Sequence, residues 1–200
     1  MVKGLNNMSK IADVYIIIKQ GKEYVLECFD EVLYLINNDL EISKIFKGRQ
    51  DRLATSVMLS TIYHKDKLIG FANLIREKQN QNFLFLDVGI IEEYRGKHVA
   101  AQILEELKKT PKYIIVETKE DNLLANKSLE NRTAFMFKYN DRNIYLLQKD
   151  RYNEFIENGY YDQLIEHYNT PNDRMSMLAK LYEEEDKKGK VKVKTDKNNK

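Results

Sequence analysis

Two runs, FLFLDVGII at 83–91 and KYIIV at 112–116, are apolar at nearly every position. A strand with one wet face alternates apolar and polar residues, so runs like these belong to strands covered on both faces. Between them Val99, Ala100, Ile103, Leu104 and Leu107 recur at helical spacing and form one apolar face, in a helix that ends before Pro111. Strand, helix and strand over about 35 residues make a crossover, and a crossover joins strands that run parallel.

The flanking segments add antiparallel elements. SVMLSTIYHKDKLIGFANLIRE reads as two strands around His64-Lys65-Asp66-Lys67, and AFMFKYNDRNIYLLQK as a second hairpin turning at Asn140-Asp141-Arg142-Asn143. VYIIIKQGKEYVLECF places two β-rich runs around Lys19-Gln20-Gly21-Lys22, as a hairpin or a strand-turn-helix. From Glu27 to Ile45 the apolar spacing is helical, with an interruption near Asn37-Asn38-Asp39. NLLANKSLENRT is a short helix, and 152–182 reads as two helices separated near Thr170-Pro171-Asn172. The expected organisation is one α/β domain over 1–150, a helical extension over 151–186 packed on it, and a disordered Lys-rich tail over 187–200.

That tail shapes the reading of charge. It holds seven lysines against Asp196, a net of +6, so a chain with a formal total of +2 has a body near −4. The body therefore offers no argument for nucleic-acid binding, and the tail reads first as a solvated run. Cys28 is the single cysteine, which excludes an internal disulfide and a cysteine zinc site and suits a reducing, cytoplasmic setting; a small buried apolar role is expected for it. No apolar run approaches the length of a membrane span. No P-loop, three-glycine dinucleotide fingerprint, H-E-x-x-H or G-x-S-x-G elbow occurs, and the three histidines are scattered, so no metal site is expected.

Arg95-Gly96-Lys97 stands where the first apolar strand passes into the crossover helix. The first turn of a helix carries unpartnered N–H groups and partial positive charge, so such a turn suits a phosphate or pyrophosphate. On its own such a turn is more often a solvated loop than a ligand site.

LDVGIIEEYRGKHVAAQILEEL resembles the acyl-CoA-binding motif of the GNAT N-acetyltransferases, Arg/Gln-x-x-Gly-x-Gly/Ala after a central strand. Arg95 matches the first position and Ala100 the last, while His98 stands where the family has glycine. VETKEDNLLANKSLEN is similar to the next GNAT segment through Glu117, Asn122, Leu129 and Glu130, and the resemblance spans roughly Val14 to Lys149. It implies a mixed, mostly antiparallel sheet with a central parallel pair splayed around an acyl-CoA site and helices on both faces.

The resemblance also implies roles. Backbone groups of Val88, Gly89 and Ile90 would bind the pantetheine amides of acetyl-CoA as an added strand. Amides of Arg95, Gly96, Lys97, His98, Val99, Ala100 and Ala101 would hold the pyrophosphate, and Asn122 would both cap its helix and bond the CoA arm. Glu117 is the first candidate for general base, against a strand-end carboxylate paired with a lysine; Asp87, a polar interruption of an apolar strand, is the second, against a purely structural role. Many family members place a proton-donating Tyr where this chain has Leu129, leaving Tyr139 and Tyr145 as substitutes or as packing. The expectation is an acetyl-CoA-dependent N-acetyltransferase acting on a primary amine, with a noncatalytic CoA-binding or interaction module as the alternative. The extension has three roles open to it: covering the acceptor cleft, building a homodimer interface, or packing on the sheet, with packing first.

Overall fold

A computed structural model of the chain describes residues 14–20, 22–46, 53, 56–76 and 82–170. The first ten residues, most of the loop before β4, the second helix expected beyond Pro171 and the Lys-rich tail lie outside the described residues. In chain order the elements are β1 (Val14–Gln20), α1 (Lys22–Asn38), α2 (Leu40–Phe46), β2 (Ser56–His64), β3 (Lys67–Ile75), β4 (Phe83–Ile90), α3 (Val99–Leu107) and β5 (Tyr113–Lys119). There follow α4 (Leu123–Glu130), β6 (Ala134–Tyr139), β7 (Arg142–Leu146), α5 (Tyr152–Glu157) and α6 (Tyr160–Asn169).

The seven strands form one sheet in the order β1-β2-β3-β4-β5-β7-β6. β4 and β5 are parallel and every other pair is antiparallel. The crossover through α3 accounts for the parallel pair: a chain that must return to the same end of the sheet arrives in the same direction. Both faces are covered. α3 packs through Val99, Ile103, Leu104 and Leu107 on a layer that includes Ala72, Leu74, Leu84, Leu86, Ile114 and Val116. α1 and α2 pack through Val32, Leu35, Ile36, Ile42 and Phe46 on Leu59 and Phe71. Cys28 is buried in this second layer, with its sulfur 4.0 Å from the Thr61 hydroxyl, which fits the small buried role expected for it.

Local chemistry explains where elements stop. The Asp39 amide donates to the Leu35 carbonyl at 2.9 Å, and its carboxylate accepts from the Ile42 amide at 2.9 Å. One residue thus closes α1 and caps α2, at the interruption expected from the sequence. α1 begins at Lys22, five residues before the expected start, so the run after β1 is helical, the strand-then-helix alternative of the two read from the sequence. The stretch 152–169, expected as one helix, is broken at Asn158-Gly159, where Gly159 has φ of 70° and a left-handed residue ends a helix; α6 ends at Asn169, beside the expected break.

α5 belongs to the sheet. Phe155 is fully buried, with its ring 6.1 Å from Phe83 and 5.1 Å from Tyr113. Arg151 makes two 3.0 Å bonds to the Glu154 carboxylate, donates to the Pro111 carbonyl at 3.0 Å, and lies 4.2 Å from the Tyr113 ring centre. The compact unit ends at Tyr160; a second unit begins at Tyr161, and its described part is the remainder of α6 to Thr170. No helix among the described residues is long and apolar enough to cross a membrane.

Candidate functional site

The central feature is a pair of neighbouring strands that stop pairing before they end. β4 and β5 are in register from Phe83↔Tyr113 to Leu86↔Val116. β4 nevertheless continues to Ile90 against β3, and β5 continues to Lys119 against β7. The strands therefore part after Leu86 and Val116. On the β5 side, the backbone of Val88, Gly89 and Ile90 has no paired strand, and an open strand edge is a template for an extended ligand. Gly89 lies beneath Phe71: a β-carbon there would sit 2.6 Å from the ring.

The turn that follows is built around two left-handed residues, Gly96 with φ of 72° and His98 with φ of 63°. His98 is the N-cap of α3. The glycine of the family motif stands at a position that favours glycine, and His98 meets the same φ at a steric cost; His is among the residues enriched there. Its ring makes no capping hydrogen bond, and the first turn of α3 contains no acid. The first helical bond is from the Gln102 amide to the His98 carbonyl at 3.1 Å, so the amides of Val99, Ala100 and Ala101 precede the ladder. The arrangement suits an anion.

The two basic residues of the turn are engaged within the protein. Arg95 donates from Nε to the Ile90 carbonyl at 2.9 Å, tying the turn to the end of β4. Lys97 places its ammonium 5.2 Å from the centre of the Tyr94 ring, and Lys67 approaches the same ring at 5.4 Å. The Tyr94 hydroxyl is 2.9 Å from His64 Nδ1. Lys67 also bonds Glu93 and holds its carboxyl below the usual range.

The two carboxylates singled out in the sequence come to the fork. Asp87 and Glu117 are the first residues past the last paired rung, Leu86↔Val116. Side chains alternate along a strand. With Leu86 and Val116 in the α3 layer, Asp87 and Glu117 point to the α1–α2 face, and both are half-buried. Glu117 pairs with Arg142 at 3.1 Å, so its cation is an arginine from the neighbouring strand and not a lysine.

Asn122 accepts from the Ala125 amide at 3.2 Å and caps α4, as expected. Four residues on, the buried Asn126 ties two strands, β5 and β7, to α4. Its oxygen accepts from the Thr118 hydroxyl, from Asn143 Nδ2 at 3.1 Å and from the Tyr145 hydroxyl at 3.1 Å. Its nitrogen donates to the carbonyls of Lys119 at 2.9 Å and Glu120 at 3.1 Å. Tyr145 is buried, and that burial raises its pKa; its hydroxyl is committed to Asn126. Leu129 is buried in the same apolar layer, and Tyr139 ends β6 opposite Arg142. Sequence reasoning missed Arg142, Asn126 and Asn73, the last a lone amide in an apolar strand and thus the most legible of the three.

No family model matches the chain, and no curated protein sequence matches it. Solved structures do align. Diaminobutyrate acetyltransferase EctA from Paenibacillus lautus, in complex with L-2,4-diaminobutyric acid and coenzyme A, is 14% identical over 68% of this chain and 96% of its own, with a TM-score of 0.43. An acetyltransferase of the GNAT family from Streptococcus pneumoniae is 14% identical over 66% and 96%, at 0.42. The yncA putative acetyltransferase from Salmonella typhimurium with acetyl-CoA is 9% identical over 68% and 95%, at 0.41. Alignments at this level carry no weight by themselves. The chain's own strand order, its parted parallel pair and its Arg-Gly-Lys turn make its fold GNAT-like.

Proposed function

We propose that the protein is an acetyl-CoA-dependent N-acetyltransferase whose acceptor is a primary amine. The observation that carries this reading is the parting of β4 and β5 after Leu86 and Val116, beside a helix N-terminus whose first-turn amides precede its ladder. The residues fit the group. Val88, Gly89 and Ile90 would offer strand-like backbone bonds to the pantetheine arm, and Gly96 to Ala101 would hold the pyrophosphate with backbone amides. Arg95 would act by locking the turn to β4, and Lys97 would add positive charge beside it. Asn122 would reach the CoA arm from the cap of α4.

When bound, acetyl-CoA supplies a thioester whose acetyl group passes to the amine. The chain's part is to hold amine and thioester in contact, an effect worth roughly 7–11 kcal/mol, and to accept the amine proton, worth about 10²–10⁴-fold. Asp87 and Glu117 stand at the fork on one face, and either would take that proton. Coenzyme A would leave as a thiol protonated from solvent.

Two measurements test the proposal. Acetyl-CoA at 100 times its Kd should stabilise the protein by about 2.7 kcal/mol, and thiol release should appear with some member of a panel of primary amines. No melting shift at millimolar acetyl-CoA would sink the CoA site. A shift without thiol release across the panel would leave a binding module.

A further inference from the structure

Asn73 is fully buried in β3, and neither its amide nitrogen nor its amide oxygen has a hydrogen-bond partner. A buried carboxamide left in this state is destabilising, and a leucine of the same branched shape would avoid that cost. Its position gives the cost a use. Asn73 is the direct cross-strand partner of Asp87, and directly opposed residues share a face with β-carbons about 5 Å apart. Asn73 alternates with Ala72 and Leu74, which face α3, so it lies with Asp87 on the α1–α2 face. Asn73, Asp87 and Glu117 thus form one row across the sheet, and Asp87 stands where the row meets the fork.

We propose that Asn73 is a positioning residue for Asp87 and makes it the proton acceptor; this rests on the acetyltransferase reading. A general base has two states, a carboxylate that needs donors and a carboxylic acid that needs an acceptor. A free carboxamide serves both, since rotation about its last torsion exchanges Nδ2 for Oδ1 without changing its shape. In the transfer the amine nitrogen forms a bond to the acetyl carbon, the carbon–sulfur bond breaks, and the amine proton goes to the Asp87 carboxylate. Asn73, which makes neither bond in the structure, would turn Nδ2 to the carboxylate before the transfer and Oδ1 to the new O–H after it. Glu117 is engaged by Arg142.

The test is Asn73→Leu, read three ways. The Asp87 carboxyl carbon resonance, assigned by its loss in Asp87→Asn, should move, and the melting temperature should rise, because two unpartnered buried atoms are gone. In steady state, kcat should fall about tenfold or more while KM for acetyl-CoA stays within about twofold. An unmoved Asp87 resonance overturns the proposal whatever the kinetics, and so does an unchanged kcat in an active enzyme. If the wild-type protein turns over no amine and the resonance still moves, the acetyltransferase reading fails and the Asn73–Asp87 pairing stands.

Discussion

His98 carries two demands at once, a left-handed backbone and the first position of an anion-binding helix. A non-glycine residue there costs about 1–2 kcal/mol locally, and glycine returns part of that gain through its freer unfolded chain. His98→Gly should therefore raise stability by about 1 kcal/mol or less, measured by urea denaturation, with acetyl-CoA affinity retained because the backbone amide is unchanged. A protein destabilised by the change would mean the ring contributes packing that outweighs the strain. The glycine-to-histidine departure was visible in the sequence, but its reason was not: the residue's φ is set by a turn that joins β4 to α3. Arg142 and Asn126 were hidden for a related reason. Their partners lie 25 residues away at Glu117 and between 6 and 19 residues away around Asn126, and they become neighbours only when β5, α4 and β7 assemble.

At the level of elements, apolar runs and turn residues were sufficient to place β2 to β5, α3, α4 and the closing hairpin. The errors occurred where two periodicities compete. Tyr24, Val25 and Leu26 have strand-like composition, yet they continue a helix whose later residues carry the buried stripe. α5 is the element whose role the structure sharpens most, through Phe155 beneath the sheet. Phe155→Ala should cost about 3–5 kcal/mol, the usual range for emptying a fully buried aromatic site. A loss near zero would detach α5 from the core.

The Arg151 bond that precedes α5 leads to a pH prediction. It lowers the Glu154 pKa from 4.5 to about 2. A depressed carboxyl stabilises the fold above its unfolded pKa, and that stabilisation is lost as pH falls through the folded pKa. The loss should occupy the window from about pH 4.5 down to about 2, and Glu154→Gln should flatten it in acid titrations of the melt.

For the whole molecule, charge and activity separate. The body is near −4 and the tail over 187–200 near +6, so the tail dominates the net charge, and none of the residues named in the proposed site lies in it. Removing 187–200 should leave acetyl-CoA affinity unchanged by calorimetry; a large loss would place part of the binding machinery in the tail. The central claim concerns where the cofactor's backbone partners lie, and amide hydrogen exchange reads that directly. Acetyl-CoA should slow exchange together at two segments, 88–90 in β4 and 96–101 at the start of α3, while β1 and β2 stay unchanged. Protection elsewhere, or none at saturating acetyl-CoA, would contradict the account.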